Sequence, residues 1–130
     1  MKRYESKWWT IALPDDWQTE DQEDAVTIFS DSGVGAIQVS ASRNNDGPVT
    51  DADLRDFAKE HLDAGAKTKD VRCGDFSGFY IHFGTDDMYQ RQWWLRRGDT
   101  MVLVTYTSAP ENKGTEESVV DTIVASLKQR

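Results

Sequence analysis

The chain has 130 residues, 38% of them hydrophobic and 11% aromatic, with five tryptophans and a formal net charge of −8. That length supports about one domain, spanning residues 1–130, and the composition excludes a disordered or low-complexity chain. The negative charge argues against nucleic acid, whose phosphates it would repel. The single cysteine, Cys73, excludes an intramolecular disulfide and reads as a small buried hydrophobe.

The N-terminal segment MKRYESKWWTIALP has no apolar run of signal-peptide length. No stretch of about 18 apolar residues marks a membrane span. The expected location is therefore the cytoplasm, unless a leader was removed. Lys7–Leu13 is predicted as the first strand, with Trp9, Ile11 and Leu13 on one face and Trp8 and Thr10 on the other. Pro14 stops it, because proline has no N–H for a continuing ladder. Asp15 to Asp24 holds six acids among ten residues and reads as a solvated loop pinned by Trp17. Its acids lack the alternating spacing and internal glycine of a calcium loop.

Ala25–Ser30 and Ala36–Arg43 are predicted strands joined by a glycine-containing hairpin loop. No helix follows Gly33-Val34-Gly35, so a phosphate-binding reading fails on context. Thr50 is a predicted N-cap, with Asp53 in the capping-box position and Gly65 suited to the C-terminal end. Leu54, Phe57, Ala58, His61 and Leu62 fall on one stripe of this helix, expected near Thr50–Ala64. His61 has no second His or Cys at ligand spacing and reads as a residue at the margin of a packed face.

Val71–Gly74 restarts the sheet and leads into three consecutive antiparallel strands between Asp75 and Ser108. Phe79, Ile81 and Phe83 alternate there with Tyr80 and His82. Met88–Arg97 follows, and Met101–Tyr106 is a nearly unbroken apolar run expected near the middle of a sheet. The last helix is expected over Thr115–Lys128, capped by Thr115, with Lys128 and Arg130 at its favourable end. Trp9, Ile11, Leu13, Ile37, Val39, Phe57, Phe79, Ile81, Val102, Val104, Ile123 and Leu127 form the expected core. The order predicts an α+β fold with a mainly antiparallel sheet of six or seven strands and two main helices.

The stretch Ile11-Ala12-Leu13-Pro14-Asp15-Asp16-Trp17 resembles the superfamily of PsbP of photosystem II, the DcrB-like bacterial proteins and the Ran-binding nuclear import factor. So do Gly35–Ser40, Asp75-Phe76-Ser77-Gly78, Trp93-Trp94, Val104-Thr105-Tyr106-Thr107 and the final Ala125-Ser126-Leu127. The resemblance implies an αβα sandwich in a group known mainly for binding proteins, some of them chaperones and adaptors linked to secreted effectors.

No residue constellation specifies a reaction. Neither histidine sits in a catalytic motif, and Cys73 has no adjacent base. The sequence calls for no cofactor and no metal. Its informative feature is a polar-aromatic surface, in which Tyr80, His82, Gln92, Trp94 and Arg96 are expected to share one sheet face, extended by Trp8. Bulky hydrogen-bonding side chains without Lys or Glu suit recognition of another protein. The alternative is burial of that face under the last helix. Asp15 to Asp24 would steer a basic partner. The expected function is a non-catalytic protein-binding module: a small adaptor, chaperone or immunity-type protein linked to a secreted effector. The alternatives are a small-ligand-binding domain, and a hydrolase or lyase using His82 with a nearby carboxylate.

Overall fold

In the computed structural model, which describes residues Met1–Arg130, the first half of the chain builds β1 (Lys2–Glu5), β2 (Trp9–Leu13), β3 (Trp17–Asp21), β4 (Val26–Ser30), β5 (Gly35–Arg43), α1 (Asp51–Phe57) and α2 (Lys59–Asp63). The second half builds β6 (Lys69–Cys73), β7 (Phe76–Gly84), β8 (Tyr89–Arg97), β9 (Thr100–Ser108), a 3-10 turn at Pro110–Asn112, α3 (Glu117–Ala125) and β10 (Lys128–Gln129). Seven strands form one antiparallel sheet in the order β3-β4-β5-β9-β8-β7-β6. The apolar run of β9 lies at its centre, as its composition predicts.

β1, β2 and β10 form a separate three-stranded sheet. Trp9, Ile11 and Leu13 of β2 pack with Val120, Ile123, Val124 and Leu127 against one face of the large sheet, and this is the main core. α1 covers part of the opposite face through a smaller cluster of Val49, Leu54, Ala58, Phe79, Ile81 and Trp94. The layers are therefore α1–α2, the seven-stranded sheet, and a third layer built jointly by α3 and the small sheet. Each large side chain fully buried there contributes about 1.5–3 kcal/mol of transfer free energy.

Four sequence expectations are corrected. The acidic segment is not all loop: Trp17–Asp21 pairs with β4 as an edge strand. Its charged, exposed residues leave no alternation to read and protect the edge against unwanted pairing. The Thr50–Ala64 helix is two pieces separated at Ala58, although the Thr50–Asp53 capping box is present and Gly65 has the positive φ of its end. Phe57 is 63% exposed, because the inward stripe is Leu54 and Ala58, spaced i, i+4, with Phe57 to one side.

The last helix starts at Glu117, and Glu116, not Thr115, is its N-cap. Glu116 turns inward, where its carboxylate accepts the Tyr106 hydroxyl proton at 2.8 Å. The helix also ends early. Ser126 Oγ accepts from the Ala12 N–H at 2.8 Å and donates to the Ile123 carbonyl at 2.6 Å. That locks the helix end to β2, and Lys128–Gln129 then pairs with β2 as β10.

Gly74 allows the neighbouring β6–β7 turn to press against this junction. Its φ is +59°, and a Cβ there would run into the Leu127 carbonyl oxygen.

Candidate functional site

The β7–β8 register decides which side chains share a face. Thr85 closes the connecting loop: its N–H donates to the Met88 carbonyl at 2.8 Å, and its hydroxyl accepts from the Asp87 and Met88 N–H groups. This turn sets Gly84 opposite Tyr89, and the ladder continues with His82 opposite Arg91, Tyr80 opposite Trp93 and Phe79 opposite Trp94. Directly paired residues point to the same side of a sheet. Tyr80 and His82 therefore lie with Tyr89, Arg91 and Trp93, on the α3 side. Gln92, Trp94 and Arg96 lie on the opposite face, against α1.

The single surface expected from the sequence is thus two surfaces. Trp94 and Gln92 are buried, and their polar groups serve one another. The Trp94 indole N–H donates to Gln92 Oε1 at 3.0 Å, Gln92 Nε2 donates to Gln90 Oε1, and Gln90 Nε2 donates to Thr107. Arg96 bonds Asp51 at the start of α1 at 2.9 Å. His61 stacks on Phe83 at 5.3 Å, at the margin of the same small core, as expected. Trp8 stands apart, half-buried before β2, with Lys7 and Arg43 each 5.2 Å from its ring. The two adjacent tryptophans Trp93 and Trp94 are each buried, one on either face, as a doublet in a covered strand requires.

On the α3 side, Arg91 organises a cluster. It is 5% exposed, and its guanidinium carbon lies 4.6 Å from the Trp93 ring centre and 5.2 Å from that of Tyr80. Nε donates to the Tyr80 hydroxyl at 2.8 Å, and Nη2 donates to Asp121 of α3. Nη1 is buried without a partner. An orphaned donor of this kind costs about 1–3 kcal/mol, and more when it belongs to a charged group. Burial opposes the Arg91 charge, but the bonds to Tyr80 and Asp121 outweigh it and hold the guanidinium protonated.

His82 is exposed and stacks on Tyr80 at 5.7 Å, with its edge toward Tyr89. Burial, then the neighbouring Tyr80, pushes the Tyr89 phenol up to about 12. Lys113 sits 5.2 Å from the Tyr89 ring centre. These residues line a groove of about 450 Å³ between β6–β8 and the start of α3, with Lys69 and Glu117 at its rim. His82 also borders a second cleft of about 610 Å³, whose other wall is residues 64–67. Between them runs an open strand edge, because β6 pairs with β7 only from Phe76 to Tyr80 and leaves residues 81–84 without a strand on that side.

Aromatic rings and a fixed guanidinium offer contact area with little freedom to lose, and an open edge offers backbone groups to an extended chain. The thiol of Cys73 is buried, and burial pushes it up to about 11, so it stays protonated at neutral pH. Arg91, Tyr89 and Trp93 are absent from the binding residues expected from the sequence. The length of the Thr85–Met88 loop is the signal that would have found them, since it sets even-numbered residues of β7 beside odd-numbered residues of β8.

No protein-family model and no curated protein matches the sequence. Among solved structures, a protein from Bacteroides thetaiotaomicron superposes with a TM-score of 0.78 at 19% identity, over 99% of this chain and 48% of its own. The chain thus spans about half the length of that protein. LpqN of Mycobacterium tuberculosis, involved in cell envelope biogenesis, superposes with a TM-score of 0.64 at 13% identity, over 93% of this chain and 82% of its own. Cyanobacterial PsbP (CyanoP) from Synechocystis sp. PCC 6803 gives 0.54 at 14% identity, over 99% and 92%. The fold is PsbP-like, an α+β arrangement with a seven-stranded antiparallel sheet.

Proposed function

We propose that the protein is a non-catalytic accessory module that binds another protein at the margin where β7 and β8 pass beneath the start of α3. The observation that carries this reading is the coincidence of an aromatic-cationic cluster lining a surface groove (His82 exposed, Tyr80 half-buried and Arg91 buried beneath them) with the unpaired edge of β7 at residues 81–84. An extended segment of the partner would pair with that edge and set side chains against the rings. The fold shared with CyanoP and with LpqN, which is involved in cell envelope biogenesis, supports an accessory or envelope-related role, and an adaptor, chaperone or immunity-type protein is the specific form we favour. The net charge of −8, with acids concentrated in residues 15–24, favours approach by a basic partner.

The test is retention from an extract of the native host on the immobilised protein. We expect a partner retained by the wild type and by Phe57→Ala, a control on the other face. Tyr80→Ala combined with His82→Ala should weaken retention by about 2 kcal/mol or more while the melting profile stays cooperative. Equal retention by the double variant would sink the assignment.

A further inference from the structure

We infer that the groove beside Arg91 is a binding site for a single carboxylate, carried by a chain terminus or by a small organic acid. The Trp93 and Tyr80 rings crowd the same side of the Arg91 guanidinium, at 4.6 Å and 5.2 Å with their own centres 5.2 Å apart, so its remaining capacity lies along its edge. Along that edge Nε serves Tyr80 and Nη2 serves Asp121, while Nη1 is enclosed and has no acceptor. A planar carboxylate is the group that a guanidinium edge is shaped to hold.

Charge selects the same ligand. Lys69, Arg91 and Lys113 line the groove together with the carboxylates Glu117 and Asp121. Three cations facing two anions leave one positive charge, which a monoanion neutralises. A phosphate dianion would instead meet Glu117 and Asp121 with one charge too many. Lys69 and Lys113 are both exposed, so they can turn toward an incoming ligand. The groove volume of about 450 Å³ admits a small acid or the last residue of a chain. The site does not depend on the protein-partner reading: it stands if the carboxylate is free in solution, and the peptide arm below separates the two sources.

The experiment is a two-dimensional NMR titration that follows the Arg91 Nε–H and the Trp93 indole N–H. Sodium acetate is compared with sodium chloride at matched ionic strength. Acetyl-Gly-Tyr-Val as the free acid is then compared with its amide. Acetate should give saturable shifts at both probes that chloride does not reproduce. Lys69→Ala and Lys113→Ala should each weaken apparent acetate affinity about threefold or more, and Lys128→Ala, in β10, should leave it unchanged. Tighter binding of the free-acid peptide than of acetate and of the amide assigns the carboxylate to a chain terminus. Peptide binding no tighter than acetate assigns it to a small acid. Equal responses to acetate and chloride, the absence of saturation, or indifference to both lysine substitutions overturns the inference. Saturable acetate binding in a protein that retains no partner would uphold this site and remove the protein-binding role.

Discussion

The guanidinium carbon of Arg91 lies 4.6 Å from the centre of the Trp93 ring, two residues along the same strand and on the same face. Stacking covers the cation from below, and Asp121 meets it from α3, its side chain still 54% exposed. A buried cation held this way depends on its partner more than the partner depends on it.

The order of stability among variants follows from that asymmetry. Asp121→Ala strips the guanidinium of its only counter-ion and should cost about 2 kcal/mol. Combining it with Arg91→Met removes the stranded charge and should recover part of the loss. Urea denaturation measures this, and a double variant no more stable than Asp121→Ala alone would contradict the account.

The smaller core should be sensitive where the exposed helix face is not. Ile81 is fully buried between α1 and the sheet, so Ile81→Ala should destabilise by about 2–5 kcal/mol. Phe57→Ala should stay within about 0.5 kcal/mol, because Phe57 is 63% exposed. Denaturant midpoints at constant slope distinguish the two.

Two glycines with nearly the same φ should respond differently to alanine. Gly98, at φ +55°, has open space around it, so Gly98→Ala should cost only the left-handed conformation, about 1–2 kcal/mol. Gly74, at φ +59°, faces the Leu127 carbonyl, and Gly74→Ala must in addition displace the Leu127 backbone that leads into β10. Its thermal midpoint should fall further than that of Gly98→Ala, and equal shifts would mean the α3–β10 junction yields freely.

Alkaline pH should destabilise the fold through its tyrosines. Burial first, with Asp21 and Tyr80 respectively as further causes, pushes Tyr4 and Tyr89 up to about 12; burial and Glu116 raise Tyr106 as well. A folded pKa above the unfolded value of about 10 gives a contribution that is complete below pH 10 and disappears as pH rises through 12. Urea midpoints should therefore fall between pH 9 and pH 12, and Tyr106→Phe should make that fall shallower. An unchanged slope in Tyr106→Phe would show that the Tyr106–Glu116 bond does not carry the effect.

Much of this architecture is legible in the residues because local rules and tertiary packing agree there. The alternation of Phe79, Ile81 and Phe83, the apolar run of β9 and the Thr50–Asp53 capping box each belong to one element and appear as predicted. Eleven of the twelve expected core residues are buried, Phe57 being the exception. Where the signal depends on a neighbouring element, local reading misses it. β3 pairs on only one side and exposes nearly all its side chains, so its acids resemble a loop; β10 exists only because Ser126 ties the end of α3 to β2.

The candidate site follows the same division. The sequence by itself determined that β7 carries one aromatic-polar face and β8 two, since alternation is a property of a single strand. Which faces coincide was decided only by tertiary structure, through the pairing of Gly84 with Tyr89. A register shift of one residue moves every side chain to the other face. That pairing put Trp94 and Gln92 under α1 and set Arg91 beside Tyr80 and His82. Packing of α3 then supplied Asp121 and closed the groove, because a helix reaching across the sheet joins residues far apart in the chain, a relation no local pattern encodes.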